Sequence, residues 1–180
     1  MPEVSIMKKF INKTNYTLRY FEKIARYNNI KGSNFYIMMR FVTFCAFIAI
    51  TNFNKDTSHV IGYLYLLLAL AIVPLFTFIM PKYSARRNYK KLMEETGKRE
   101  LIVTTEISDK VTVHNSAGII KAHHFDQIVT VSRYQGMMII AFKDRDVIYL
   151  DLNGFKSGDP DKAISYVTEQ AGVKLKDEDR

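Results

Sequence analysis

Twenty-one consecutive residues, Val60 to Met80 (VIGYLYLLLALAIVPLFTFIM), carry no charged side chain. As a helix this run is about 30 Å long, the thickness of a bilayer's hydrocarbon core. A surface helix of a soluble domain needs a polar face, and this run has none. The chain is therefore expected to be an integral membrane protein. Mean hydropathy is near neutral (−0.08), an average over an apolar stretch at about residues 35–80 and a polar remainder.

Phe35 to Phe53 (FYIMMRFVTFCAFIAITNF) is the second candidate span. Arg40 interrupts it; near a helix end its long side chain can snorkel to the interface, so an anchoring role is favoured over an intramembrane functional one. The six residues Asn54 to His59 (NKDTSH) make a polar connection so short that the spans, 35–53 and 60–80, must form an antiparallel hairpin. Pro74 lies inside the second span, removes a backbone hydrogen bond at Leu70 and predicts a kink.

The net charge of +8 divides unevenly. Residues 1–40 hold eight Lys/Arg against two acids and residues 82–100 seven against three, whereas residues 101–180 hold ten against twelve. Positive charge thus flanks the apolar region, and the C-terminal part is slightly acidic. A nucleic-acid-binding domain would carry the basic patch on its folded part, so nucleic acid is not an expected partner. Arg26, Lys31 and Arg40 precede the spans, Lys82, Arg86, Arg87, Lys90 and Lys91 follow them, and the connection has only Lys55. The positive-inside rule places both termini in the cytoplasm of a multi-pass cell-membrane protein. The same residues are expected to face anionic headgroups.

Residues 1–34 are too long and polar for a signal-peptide n-region. They are expected to form a cytoplasmic segment with an amphipathic helix near Thr17 to Asn28, where Tyr20, Phe21, Ile24 and Tyr27 oppose Arg19, Lys23 and Arg26. Two placements stand for that helix: in the membrane interface, or against the C-terminal domain. A basic juxtamembrane helix is expected over 81–98. Residues 99–173 change to a period of two. The runs ELIVTTE, KVTVHN, GIIKA, FDQIVTVSR, GMMIIAF and VIYLDL are separated by turn signals such as Tyr134-Gln135-Gly136. They predict an antiparallel sheet or half-barrel. Asp159 as N-cap, Pro160 and Asp161 start a closing helix that Gly172 ends, with Ile164, Val167 and Ala171 as its apolar stripe. Residues 174–180 are expected to be a frayed polar tail. The fold class is a two-helix membrane hairpin plus an α+β cytoplasmic domain.

NYTLRYFEKIARYN at 15–28, RRNYKKLMEETG at 86–97, LIVTTEISDKVTVHN at 101–115, HHFDQIVTVSRY at 123–134 and IYLDLNGF at 148–155 together resemble the YcxB-like family of small bacterial membrane proteins. The resemblance covers most of the chain and rests on layout. The chain departs from the family pattern at Leu152, near which proline is common, and at His124-Phe125, near which tryptophan is usual. It implies a cytoplasmic C-terminal domain similar to pleckstrin-homology-like domains, and no established chemistry. A phosphoinositide site would need a basic early loop; here that loop is Ser108-Asp109-Lys110 in a net acidic domain.

No catalytic constellation is legible, so an enzyme is not expected, nor a cofactor. Cys45, the lone cysteine, lies in the first span. His123 and His124 are adjacent in a strand and point to opposite faces, and neither they nor His114 sit in a zinc motif. Asp144-Arg145-Asp146 reads as turn chemistry: its D-x-D spacing is that of calcium loops, but the glycine and distal glutamate are missing. Met137 and Met138 belong to a central strand or, in the sharper reading, to an exposed partner surface. Two functions stand: a membrane-tethered interaction or regulatory module with a protein partner or a second copy of itself, or an oligomeric transport or channel accessory using Arg40 and the Pro74 kink. The expected topology puts a cysteine introduced by Ser58→Cys outside the cell, open to an impermeant maleimide on intact cells. Reaction only after lysis would invert it.

Overall fold

The computed structural model describes residues 10–31, 33–53, 59–97, 101–115 and 120–178. The break expected at Gly32, the Asn54–Ser58 part of the connection, the turn at Ser116 and the last two residues lie outside them. The chain divides into two compact units, Leu18–Leu92 and Met1–Thr17 with Met93–Arg180.

The first unit is helical. Helix α1 (Leu18–Lys31) is followed by α2 (Ser33–Phe53) and α3 (His59–Pro74), then a π turn (Leu75–Ile79) and α4 (Met80–Thr96), whose last residues, from Met93, belong to the second unit. Two stretches, Phe35–Phe53 and the continuous His59–Thr96, are long and apolar enough to cross a membrane. Their large side chains point outward: Val60 is 72% exposed, Phe47 65% and Leu67 62%. Inward, α2 presents Cys45 and Ala49 to Gly62 and Ala69 of α3, all buried. Small residues at the seam let the two helices approach closely.

Pro74 produces a π turn rather than a broken helix. Two side chains serve carbonyls in and beside the turn: Thr77 Oγ1 donates to the Val73 carbonyl at 2.7 Å, and Asn29 Nδ2, from α1, donates to the Phe76 carbonyl at 2.7 Å. Backbone irregularity in apolar surroundings persists only with such partners.

The second unit is built of two sheets and a helix. β1 (Phe10–Tyr16), β2 (Leu101–Ile107), β3 (Val111–Asn115), β4 (Ile120–His123) and β8 (Phe155–Ser157) form one sheet in the order β4-β3-β2-β1-β8. β5 (Ile128–Tyr134), β6 (Met137–Phe142), β7 (Val147–Asp151) and β9 (Leu175–Asp177) form the other, ordered β7-β6-β5-β9. Helix α5 (Pro160–Ala171) starts as expected: the Asp159 carboxylate accepts the Lys162 N–H at 3.0 Å, and Gly172 ends it at φ 65°. Ala163, Ile164 and Val167 of α5 join Phe10, Met138, Ile140 and Leu150 in the core. The β5–β6 hairpin turns at Gln135-Gly136, both at positive φ, the type I′ geometry that matches strand twist.

Four expectations are corrected. Residues 10–16, read as part of a separate N-terminal segment, form a strand inside the sheet, paired with β2 from Phe10↔Ile107 to Tyr16↔Leu101. The helical unit is thus inserted, in sequence, between two neighbouring strands. The FDQIVTVSR run is not one strand: Phe125–Gln127 makes a 3-10 turn before β5. The supposed frayed tail contains β9, which pairs in parallel with β5 through Val131↔Leu175, so the domain is not one antiparallel meander. Met137 and Met138 are both fully buried, because both faces of β6 are covered, which removes them as a partner surface.

A Cβ at Gly62 would lie 3.1 Å from the Phe53 ring and 3.2 Å from the Ala49 carbonyl oxygen. Gly62→Ile is therefore expected to part α2 from α3 and raise the reactivity of Cys45 toward a membrane-permeant maleimide several-fold. Unchanged Cys45 protection would contradict this packing.

Candidate functional site

The basic residues expected at the membrane surface divide into two sets. On α4, Arg87 and Lys91 line a 500 Å³ groove with Tyr83, Asn28 and Asn29, the two asparagines coming from α1. Their i, i+4 spacing places both on one helix face, and the edge contact of Phe21 with Tyr89, ring centres 6.0 Å apart, fixes α1 beside them. Lys82, Arg86 and Lys90 are exposed and do not line the groove. Arg26 and Lys31 on α1 are exposed, as is Arg40 on α2, off the seam that Cys45 and Ala49 make. Two cations give this groove a basic lining.

The sheet domain has the opposite character. Its 690 Å³ cleft along α5 is lined by Asp159, Asp161 and Glu169, with Lys162 as the only cation among the described lining residues. In the β2–β3 loop the Ser108 hydroxyl donates to Asp109 at 2.8 Å and holds that exposed carboxyl below its usual range, helped by its own backbone N–H and nearby Lys110 and His124. A fixed negative charge there opposes a phosphate ligand.

β1 carries a buried polar circuit. Asn12 Nδ2 donates to the Asp151 carbonyl at 2.7 Å, the Asp151 N–H donates to Thr14 Oγ1 at 2.9 Å, and Thr14 Oγ1 donates to Asn12 Oδ1 at 2.7 Å. The Tyr16 hydroxyl donates to the Tyr149 carbonyl at 3.2 Å. Burial, with Tyr149 beside it, pushes that phenol well above its usual range, so it remains a donor at physiological pH. Gly154 closes on the same strand: a Cβ there would stand 2.6 Å from the Lys13 carbonyl oxygen. These groups join the two sheets and are structural.

The histidines separate, though not by strand alternation: His123 ends β4 and His124 caps the 3-10 turn that follows. His123 is buried and His124 exposed, and His114 lies elsewhere on β3. Asp144 Oδ1 accepts the Asp146 N–H at 3.1 Å, the expected turn chemistry, with Arg145 at φ 69°. Sequence reasoning missed that this turn faces His123: one donor atom from each of His123, Asp144 and Asp146 lies within 4.8 Å of the others. The residues come from different sheets, so no local spacing signals the group. Asp151 lies apart from this group: its backbone joins the circuit on β1, and its carboxylate accepts the Asn153 N–H at 3.0 Å.

No protein-family model matches the chain, no curated protein is similar to it, and no solved structure matches its fold. A functional reading therefore rests on the geometry of its own residues.

Proposed function

We propose that this is a multi-pass cell-membrane protein of the YcxB-like type. Its helical unit crosses the bilayer as a hairpin, and its sheet domain, pleckstrin-homology-like in architecture, is a cytoplasmic interaction or regulatory module. The pairing of β1 with β2 carries the reading. The chain leaves the sheet after Tyr16 and rejoins it at Leu101, and these two residues are cross-strand partners. An insertion whose ends are neighbours in one sheet must leave and return on the same side of a membrane, which needs an even number of crossings. Two long apolar helices with outward-facing Phe47, Val60 and Leu67 supply them.

The excess of Lys/Arg beside the spans supports a cytoplasmic reading of that side. The groove with Arg87 and Lys91 suits anionic headgroups at the helix ends. Transport gains less. Arg40 lies off the helix seam, and the carbonyls around Pro74 are served by Thr77 and Asn29, which makes the π turn a structural joint.

Purification from membranes in mild detergent tests the reading. Wild-type chain and the Arg40→Leu variant are expected to retain the same partner proteins, or the same homo-oligomer, in equal yield, and to leave planar bilayers non-conducting. A conductance abolished by Arg40→Leu would overturn the module reading in favour of transport.

A further inference from the structure

His123 closes the edge of the first sheet, where β4 meets the β6–β7 turn. Its side chain is 8% exposed and its ring stacks on Phe142 at 4.1 Å, so its orientation is held by packing. Both ring nitrogens face carboxylates at distances too long for hydrogen bonds: Nδ1 is 3.8 Å from Asp144 Oδ2, and Nε2 is 3.6 Å from Asp146 Oδ2. Nε2 is buried and has no hydrogen-bond partner. A buried polar nitrogen without a partner is unfavourable, and native structures supply one in most cases, whether protein, water or ion.

The carboxylates are held ready. Asp144 spends Oδ1 on the Asp146 N–H, which leaves Oδ2 toward the histidine. Asp146 lines a 260 Å³ cavity with His123, Lys121 and Tyr16. Two donors bound to one first-row ion at about 2.0–2.2 Å stand roughly 3.5 Å apart in tetrahedral geometry. The His123–Asp146 separation of 3.6 Å already has that span. The side chains of Asp144 and Asp146 are 57% and 38% exposed, so water has access to further coordination positions.

We infer that His123, Asp144 and Asp146 form a binding site for a divalent transition-metal ion of the zinc class, with one imidazole nitrogen and two carboxylate oxygens as ligands and water completing the shell. The imidazole selects this class over calcium or magnesium, which favour all-oxygen sites. Lys121 is the built-in competitor. Its ammonium sits 2.7 Å from Asp146 Oδ2 on a side chain 57% exposed, where it supplies positive charge to the carboxylate until an ion displaces it.

The experiment titrates the full-length chain, purified in detergent with a histidine-free tag, with Co²⁺ and follows d–d absorption, then displaces it with Zn²⁺. One saturable equivalent is expected. His123→Phe, which keeps a ring against Phe142, is expected to abolish the signal, and Asp144→Asn and Asp146→Asn to weaken binding by about tenfold or more each. Lys121→Met is expected to tighten binding several-fold by removing the competing cation. His114→Gln and His124→Gln are expected to change nothing. Should His123→Phe fail to fold by circular dichroism, the exposed Asp144→Asn and Lys121→Met carry the test in opposite directions. Binding that survives His123→Phe, that falls equally with His124→Gln, or that is indifferent to both Asp144→Asn and Lys121→Met would overturn the site. So would the absence of any saturable Co²⁺ signal from the wild-type chain.

Discussion

The register between β1 and β2 is the constraint on which the rest of the structure depends. Seven residues, Phe10 to Tyr16, pair with Leu101 to Ile107 across the whole helical unit. Closing a flexible loop of that length costs about 4 kcal/mol by the logarithmic law, comparable with four hydrogen bonds at about 1 kcal/mol net each. A helical hairpin reduces the effective loop, because α2 and α3 pack against each other and return the chain toward its starting point. The side-chain bonds of Asn12, Thr14 and Tyr16 to β7 then add long-range contacts to the ladder. Strand pairing and hairpin thus favour the same chain path.

Each half of the molecule solves the problem set by its surroundings. In the helical unit, where apolar side chains face outward, small residues at Cys45, Ala49, Gly62 and Ala69 provide close packing, and Thr77 and Asn29 serve the backbone around Pro74. In the sheet unit an ordinary apolar core forms between the sheets and α5, and polar side chains from β1 tie one sheet to the other. The two halves also differ in electrostatics. Cations line the α1–α4 groove, and carboxylates dominate the α5 cleft. On the proposed reading the first addresses lipid, and the second leaves the domain free for a partner or an ion.

Features carried by local chemistry were legible in the sequence. The uncharged run of 60–80, the Asp159-Pro160 start and Gly172 end of α5, and the Gln135-Gly136 turn each follow from the residues at that position. β1 was not legible because its inward positions include Asn12 and Thr14, whose burial is tolerated only by partners on Asp151 far along the chain. β9 is three exposed residues whose pairing with β5 leaves no apolar alternation to read. Pro74 was readable, but the bond beside it from Asn29 to the Phe76 carbonyl, 47 positions along the chain, was not. Met137 and Met138 were open to two readings, since an apolar run does not reveal that both faces of a strand are covered. The His123 group escaped notice because its members meet only through the packing of two sheets.

Cross-linking across β1 and β2 tests the central claim most directly. Asn15 and Ile102 are exposed cross-strand partners, and Cα atoms so paired lie about 4.5–5.5 Å apart, within disulfide reach. In a Cys45→Ala background, the pair Asn15→Cys with Ile102→Cys is expected to oxidise rapidly to an intramolecular disulfide in native membranes. The pair Asn15→Cys with Glu106→Cys, four positions out of register and so about 13 Å further along the strand, is expected to remain reduced. No cross-link in the first pair, or equal cross-linking in both, would contradict a helical unit inserted between adjacent strands of one sheet.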